Sequence, residues 1–426
     1  MSLSQPEVAM QKLCEQAMEF VSHQGLDPGA FRRLSPFNDW SRNQPFQLLE
    51  SFPAALVALR ELPHFDSRFG ANSASNFALQ FIFNFLGAST TARFDRAPFE
   101  KVWGDLISEL AEPNWVYFSI CNLANFTSPC DLLPIGDGIQ IRSRNFAEIS
   151  KLLGWTDQTI DATLGRDWDE GGVGNHVLIS ESRLPKHADN LALVNDVGSI
   201  TKLDQILVAM RLLKPGFVCP GRIFFARKSI FRYGLGGRSS SGYSRWNPGS
   251  KYELLEADLS SLRSSFEWVK MLEGAGDSAR SLNLALRAFN SIYARDNFRA
   301  EDRLVDCVTA IEAALRLDTD LSFRSSFQVA GLLADNDEER VQIFRDMKAF
   351  YDTRSKVVHG GTLKAKHVAI LQDYEKLVDV VRRLLRGFVR ATATNAIPME
   401  FYEEIDVLLQ HSVRRAGARA AFGWSS

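Results

Sequence analysis

The first 112 residues carry hydrophobic positions at helical spacing, and prolines interrupt the pattern. Leu13, Ala17 and Phe20 recur at three- and four-residue intervals, and Ser4 followed by Glu7 has the spacing of a helix-capping box. Phenylalanines spaced four residues apart later in this region are typical of a helix face buried in a core. Helices are therefore predicted near residues 4–22, 48–61, 73–86 and 97–111.

From Trp115 onward the pattern changes to shorter apolar runs bounded by turn-forming residues. The runs WVYFSI and HVLIS have the length and composition of strands. Gly136 and Gly138 are predicted to form a turn that enters a strand, and DEGGVGN is predicted to be a loop. Neither glycine cluster has the spacing of a dinucleotide-binding or phosphate-binding loop. The middle region is therefore predicted to be mixed α/β, without a nucleotide-cofactor motif.

The C-terminal part is predicted to be all-α, after a further helix at 199–213. Apolar positions from His367 to Phe388 form a near-heptad stripe, which predicts one long helix over 364–391. A short helix is predicted near 399–411, and the final segment GARAAFGWSS is predicted to fray. The other helices of this part are predicted near 256–272, 280–294, 300–317, 324–334 and 338–358.

The predicted fold class is mainly α with a smaller mixed α/β middle region. A chain of 426 residues is long enough for two or three domains. Four regions are predicted: a helical N-terminal region 1–112, a mixed α/β region 113–255, a helical domain 256–395, and a short helix with a tail 396–426.

Composition indicates an ordinary globular protein, with 45% hydrophobic and 23% charged residues. Its 49 Lys and Arg oppose 51 Asp and Glu, and a net charge of −2 argues against a generally basic protein that coats nucleic acid. The five cysteines include no CxxC pair. The N-terminus lacks a signal-peptide pattern, and no apolar run approaches the length of a membrane span. We therefore expect a cytoplasmic protein with reduced thiols and no membrane partner.

A local basic stretch is the exception to this balanced charge. Between Asp204 and Glu253 there is no acidic residue, whereas nine lysines and arginines are interleaved with aromatic residues. Because bases stack on aromatic rings while Arg and Lys hold phosphates, the stretch 211–251 is a candidate for RNA contact. The alternative is a solvated hairpin or loop whose aromatic residues pack inward. The basic residues selected as candidates are Arg227, Lys228, Arg232, Arg238 and Arg245.

A second candidate site lies at the end of the predicted helix 338–358. The run FRDMKAFYDTRSKVVHGG places Arg354, Ser355 and His359 before two glycines that can end a helix. With the upstream run EDRLVDCVTAIEAALRL, this segment resembles the Apea-like branch of the HEPN families, with identifiable motifs over residues 280–390. In many HEPN ribonucleases an arginine is followed after four to six residues by a histidine, and a polar residue stands directly after the arginine.

The resemblance implies a HEPN-like antiparallel helical bundle and a metal-independent endoribonuclease in a toxin or phage-defence setting. Arg354, His359 and Ser355 would form its catalytic site. Histidine can accept or donate a proton near neutral pH, and arginine can bind a phosphate through two donors. One such pair does not fill the roles of base, cation and acid, and the resemblance implies a homodimer with a composite site. No cofactor and no metal are expected.

Two neighbouring residues are supporting candidates. Glu312 is placed either to orient Arg354 or to form a plain salt bridge with it, and Tyr351 is expected to be a core residue more than a catalytic one.

Ser355 departs from the Asn, Asp or His that commonly follows the arginine in ribonuclease members. The alternative is a noncatalytic HEPN module that dimerises or binds RNA or a nucleotide, with Arg354 paired to an acid and His359 capping the helix. The first 195 residues are expected to sense a trigger, restrain the C-terminal domain or select its RNA. No regulatory partner is identified.

Overall fold

A computed structural model describes most of the chain. The residues described are 4–33, 45–63, 65, 74–145, 148–149, 152, 173–185, 199–227, 236–238, 250–294, 299–397 and 401–424.

The N-terminal region folds as helices around an aromatic core. Phe77, Phe81 and Phe85 are completely buried, as the four-residue spacing predicted. The core cluster formed by this region extends from Met10 to Leu110. The helices are α1 (Gln5–His23), α2 (Phe52–Glu61), α3 (Ala74–Ala88) and α4 (Arg96–Ala111), with a short 3-10 helix at Pro28–Arg33.

The middle region contains a six-stranded sheet in the order β3-β4-β5-β1-β6-β7, in which neighbouring strands are antiparallel. The two predicted strand runs lie in β1 and β5, which pair along most of their length. Gly136 and Gly138 adopt positive φ angles at the turn between β3 and β4, which confirms the predicted turn. The strands are β1 (Asn114–Ala124), β2 (Phe126–Thr127), β3 (Leu132–Gly136), β4 (Ile139–Ser143), β5 (Val173–Pro185), β6 (Cys219–Arg227), β7 (Gly236–Arg238) and β8 (Tyr252–Glu253), of which β2 and β8 form a separate parallel pair. The predicted loop DEGGVGN lies partly outside the described residues, and its end belongs to β5.

The rest of the described chain is helical. One helix, α5 (Ser199–Leu213), packs on β1 and β5. A bundle follows, formed by α6 (Leu259–Gly274), α7 (Arg280–Ala294), α8 (Ala300–Leu315), α9 (Leu321–Leu333), α10 (Asp337–Val358), α11 (Ala365–Gln372), α12 (Tyr374–Ala393), α13 (Phe401–Gln410) and α14 (Ser412–Phe422). The fold is thus mainly α with a smaller α/β part, which confirms the predicted fold class.

Helix α12 is the element on which this bundle assembles. Its stripe of Leu377, Val381, Leu384 and Phe388 is buried, and the helix packs against α5, α6, α7, α8 and α9. From α12, Arg382 donates hydrogen bonds to the carbonyl oxygens of the last two residues of α5. One continuous hydrophobic core therefore includes both the sheet and the bundle.

The structure differs from two sequence-based predictions in this part. The single helix predicted over 364–391 is interrupted at Asp373, whose φ of −103° and ψ of 26° are not helical. The tail predicted to fray forms α14 instead, because Phe422 is buried and stacks on Trp424. Close approach of the Trp424 ring to α12 requires the absence of a side chain at Gly387, where an added Cβ would overlap the ring.

No helix in the described part of the chain combines the length and the hydropathy that crossing a bilayer requires.

The packing of α14 gives the first prediction. The Phe422 ring lies 4.7 Å from the Phe388 ring and 5.0 Å from the Phe401 ring, measured between centroids. Phe422→Ala should therefore lower the free energy of unfolding by about 3–5 kcal/mol through lost burial and a residual cavity. Denaturant unfolding of the full chain measures this change. As a control on the same helix, Val413→Ala should alter stability by less than about 0.5 kcal/mol, since Val413 is 82% exposed. Equal effects of the two substitutions would contradict the docking of α14.

Candidate functional site

The candidate site lies at the C-terminal end of α10. The helix begins where Asn336 caps it by accepting a hydrogen bond from the backbone N–H of Glu339 at 2.8 Å. It ends with the C-cap residue His359, followed by Gly360 with φ of +64°. The N–H of Gly361 donates to the carbonyl of Lys356, and that of Gly360 to the carbonyl of Val357, which together form a Schellman ending. The predicted glycine stop is confirmed.

The three motif residues differ in exposure. Ser355 and His359 are exposed, whereas Arg354 is half-buried. The Nε atom of Arg354 is buried and has no hydrogen-bond partner. Arg354 makes no hydrogen bond or ion pair with any residue in the described part of the chain. No acid among the described residues therefore holds its guanidinium.

Glu312 forms a hydrogen bond with Tyr351 and not with Arg354, the partner that the sequence suggested. Its Oε1 atom accepts a hydrogen bond of 3.2 Å from the hydroxyl of Tyr351, which links α8 to α10. Tyr351 is 6% exposed and belongs to the core. Burial raises the pKa of Tyr351 above its ordinary value, with the Glu312 charge adding to the increase and the Arg354 charge opposing it. Tyr351 is thus a neutral donor, and Glu312 neither orients Arg354 by hydrogen bond nor pairs with it.

Arg354 and His359 of one chain are separated on the helix. At 100° per residue, positions five apart project about 140° from one another. Arg354 shares the side of α10 on which Met347 and Phe350 are buried, whereas His359 is exposed at the helix end. No hydrogen bond joins the two side chains in the described part of the chain. A single chain therefore presents one cation and one imidazole on different sides of a helix end.

A cluster beside this helix end was not identified from the sequence. Asp352 accepts hydrogen bonds from Lys366 at 2.8 Å and from His367 at 3.2 Å. His367 is 2% exposed, and its Nδ1 atom accepts a hydrogen bond from the backbone N–H of Lys364, so Nε2 carries the proton given to Asp352. The cluster fixes α11 against α10 and sets the path of the connection that follows His359.

None of the five basic candidates for RNA contact has a described side chain. Lys228, Arg232 and Arg245 lie outside the described residues, and the side chains of Arg227 in β6 and Arg238 in β7 are not described.

Neither a metal site nor a similarity to known proteins assigns a function to this helix end. The described residues contain no group of three His, Cys, Asp or Glu side chains arranged to hold a metal ion. Comparisons with protein-family models, with curated proteins and with solved structures found no match.

The described arrangement defines what this helix end can do chemically. It offers an exposed imidazole, a neighbouring hydroxyl from Ser355 and a guanidinium whose donors are not consumed by a protein acceptor. An imidazole can transfer protons near neutral pH, and a guanidinium binds the two oxygens of a phosphate.

The Asp352 cluster gives a prediction for stability at acidic pH. Hydrogen bonds from Lys366 and His367 lower the pKa of Asp352 below its ordinary value of 3.8. Its contribution is therefore present above about pH 3.8 and is lost as the pH falls through the lower, folded-state pKa. Asp352→Asn should reduce the thermal unfolding temperature at pH 7, and the difference from wild type should shrink below pH 4. The effect should be small because the Asp352 side chain is 46% exposed.

Thermal unfolding of both proteins between pH 3 and pH 7 measures this difference. Asp105→Asn is the control, since the Asp105 side chain makes no hydrogen bond or ion pair with another described residue. A gap between wild type and Asp352→Asn that stays constant across this range would refute the assigned role.

Proposed function

We propose that this protein is a metal-independent endoribonuclease of HEPN type, with a composite site formed by Arg354 and His359 at a homodimer interface. The proposal rests on one observation above all: Arg354 is half-buried without an acidic partner among the described residues, on the helix that ends at the exposed His359. The resemblance of the surrounding sequence to HEPN ribonucleases supports it and suggests a toxin or phage-defence setting.

The guanidinium of Arg354, which pairs with no acid in the described ranges, supports phosphate binding. Removing a charge from water is costly unless a partner compensates it, so buried arginines normally bond to acids or carbonyls. Glu312, the acid that the sequence placed near Arg354, is bonded to Tyr351 instead. Arg354 therefore keeps its donors for an external anion, and a phosphodiester supplies the matching pair of oxygens.

The proposed reaction uses the 2′-hydroxyl of RNA as the nucleophile. The neutral imidazole of His359 accepts the proton of this hydroxyl while its oxygen attacks the adjacent phosphorus. Arg354 donates hydrogen bonds to the nonbridging oxygens, where negative charge develops. The bond from phosphorus to the 5′ oxygen breaks, and that oxygen takes a proton from the protonated imidazole of the partner's His359. The products are a 2′,3′-cyclic phosphate and a 5′-hydroxyl, so DNA is not a substrate.

Exposed apolar side chains on the same part of the bundle support a homodimer. Phe323 on α9 is 56% exposed and packs on Phe327 and Phe344, with ring centroids 6.1 and 6.0 Å apart. Phe344 and Ser355 are eleven residues apart on α10, close to three helical turns, so they project from the same side. Val358, at the helix end, is 47% exposed. A second copy covering this side would remove Phe323 and Val358 from water and bring two helix ends together.

RNA cleavage in EDTA tests the catalytic proposal directly. His359→Ala and Arg354→Ala should each slow cleavage of a fluorescent RNA oligonucleotide at least about 100-fold, the usual contribution of a catalytic acid or base or of a charge-stabilising donor. The wild-type product should carry a 2′,3′-cyclic phosphate. Cleavage should require protein concentrations at which sedimentation shows a dimer.

Matched controls separate catalysis from folding. Arg345→Ala on the exposed part of α10 and His411→Ala at the start of α14 should cleave RNA at wild-type rates. Wild-type rates in both site variants would end the catalytic proposal. A folded wild-type protein that binds RNA without cleaving it would favour the noncatalytic HEPN module, for which Ser355 in the position usually held by Asn, Asp or His is the supporting observation.

The basic stretch gives a separate prediction about RNA binding. In a His359→Ala background, replacing Arg227, Lys228 and Arg232 with glutamine should weaken RNA binding. Because each lost phosphate contact reduces the salt dependence of single-strand binding by about 0.7, the slope of log affinity against log salt should fall by about 2. Binding titrations at several salt concentrations measure the slope.

Three exposed cations elsewhere provide the comparison. The combined variant Lys101→Gln, Arg280→Gln and Arg345→Gln changes the net charge equally and should leave the salt slope unchanged. Equal slopes in the two triple variants would show that the stretch 211–251 does not hold RNA.

A further inference from the structure

The connection from α10 to α11 carries an excess of positive charge beside His359. No acidic residue occurs between Asp352 and Asp373. The lysines and arginine within this interval are Arg354, Lys356, Lys364 and Lys366. All three lysines are exposed. Because a local excess of exposed cations attracts anions, this connection is a candidate for phosphate contact, separate from the stretch 211–251.

The end of α10 folds this connection back alongside Lys356. The backbone N–H of Gly361 donates to the carbonyl of Lys356 at 2.8 Å. A Cβ added at Gly361 would lie 3.1 Å from the Cδ atom of Lys356, so the chain passes directly over this side chain. Lys356 precedes His359 by three residues, and the two project about 60° apart on the helix. Lys356 and His359 therefore project to the same side of the helix end.

The Asp352 cluster brings the start of α11 to this side as well. Asp352 precedes Lys356 by four residues on α10, a spacing that separates Cβ atoms by about 5–6 Å. Lys366 donates to Asp352 at 2.8 Å, which fixes the first turn of α11 next to Lys356. Lys364 is the residue that directly precedes α11. Lys356, Lys364 and His359 are therefore gathered around the junction of the two helices.

Two positive charges of this junction are not balanced by an acid. Asp352 is occupied by Lys366 and His367. Lys356 and Lys364, in contrast, make no ion pair with any other described residue. Their ammonium groups are therefore available to an anion that approaches the exposed imidazole of His359.

We propose that Lys356 and Lys364 form a flanking site, which binds RNA phosphates next to the bond that is cleaved. The inference rests on the proposed function, since the cleaved bond would lie at His359. Arg354 projects about 160° away from Lys356 on α10, so it does not share this role within one chain. A substrate must then contain at least one phosphate besides the scissile one, and a dinucleoside monophosphate would be a poor substrate.

RNA is favoured over an acidic protein segment as the polyanion bound here. The imidazole of His359 adjoins the lysines and can act on a phosphodiester, whereas it has no such role toward a carboxylate. Lysine also binds phosphate as a point charge without demanding one geometry, which suits a flexible single strand.

Binding of a noncleavable RNA tests the flanking site without depending on catalysis. The probe is a labelled 2′-O-methyl RNA of randomised sequence and about twelve nucleotides, titrated with full-length protein at several salt concentrations. Lys356→Gln with Lys364→Gln should weaken binding about tenfold. The slope of log affinity against log salt should fall by about 1.4, because two phosphate contacts are lost. Lys356→Arg with Lys364→Arg keeps both charges and should keep the wild-type slope.

Steady-state cleavage of unmodified RNA tests where this site lies relative to the reacting bond. The double glutamine variant should raise KM about tenfold and leave kcat unchanged, because flanking phosphates bind equally well in the ground state and the transition state. A lower kcat with unchanged KM would contradict the flanking position.

Lys12→Gln with Lys101→Gln is the matched control, since both lysines are exposed and lie in the N-terminal region. This variant changes the net charge equally and should bind as wild type does. The proposal is overturned if the two double glutamine variants bind alike, if wild type does not bind the probe, or if poly-L-glutamate displaces the probe as well as unlabelled RNA of equal charge. Expected binding without any cleavage by wild type would refute the ribonuclease proposal alone and leave these lysines as an RNA-binding site.

Discussion

The buried face of α12 is the constraint on which the C-terminal architecture depends. A single stripe of aliphatic and aromatic side chains must be buried along the whole helix. Several neighbouring helices pack against this stripe and together cover it. Arg382 and Arg386 add a polar connection, because both donate to carbonyl oxygens at the end of α5 that have no helical partner of their own. The sheet layer and the bundle are therefore joined by apolar packing and by hydrogen bonds at the same place.

This arrangement explains why the last turn of α10 lies at the surface. Helix α10 is held through its central part, where Met347 and Phe350 enter the core and Tyr351 bonds to α8. Its final turn extends beyond these contacts, and the Schellman ending satisfies its carbonyls locally. The exposed residues of that turn consequently do not contribute to the core.

Local patterns predicted the elements of this fold much better than their interruptions and contacts. Helical periodicity located the helices, and the glycines after His359 located the end of α10, because both effects depend on neighbouring residues. The break at Asp373 was missed because the apolar stripe continues across it, and the docking of α14 was missed because Phe422 finds its partners on distant helices. Spacing also could not show that Glu312 accepts a hydrogen bond from Tyr351 and none from Arg354.

Comparison with three other arginines of the bundle shows what Arg354 lacks. Arg211 reaches a carbonyl, an amide and an aromatic ring, and Arg324 reaches Asp406 at 3.1 Å. Arg419 bonds both a carbonyl and Asp335. In each of these cases the protein supplies the acceptors that a partly buried guanidinium needs. The buried Nε atom of Arg354 has no such acceptor within the described part of the chain. This lack of an acceptor is what the proposed role of Arg354 as a ligand for an external anion requires.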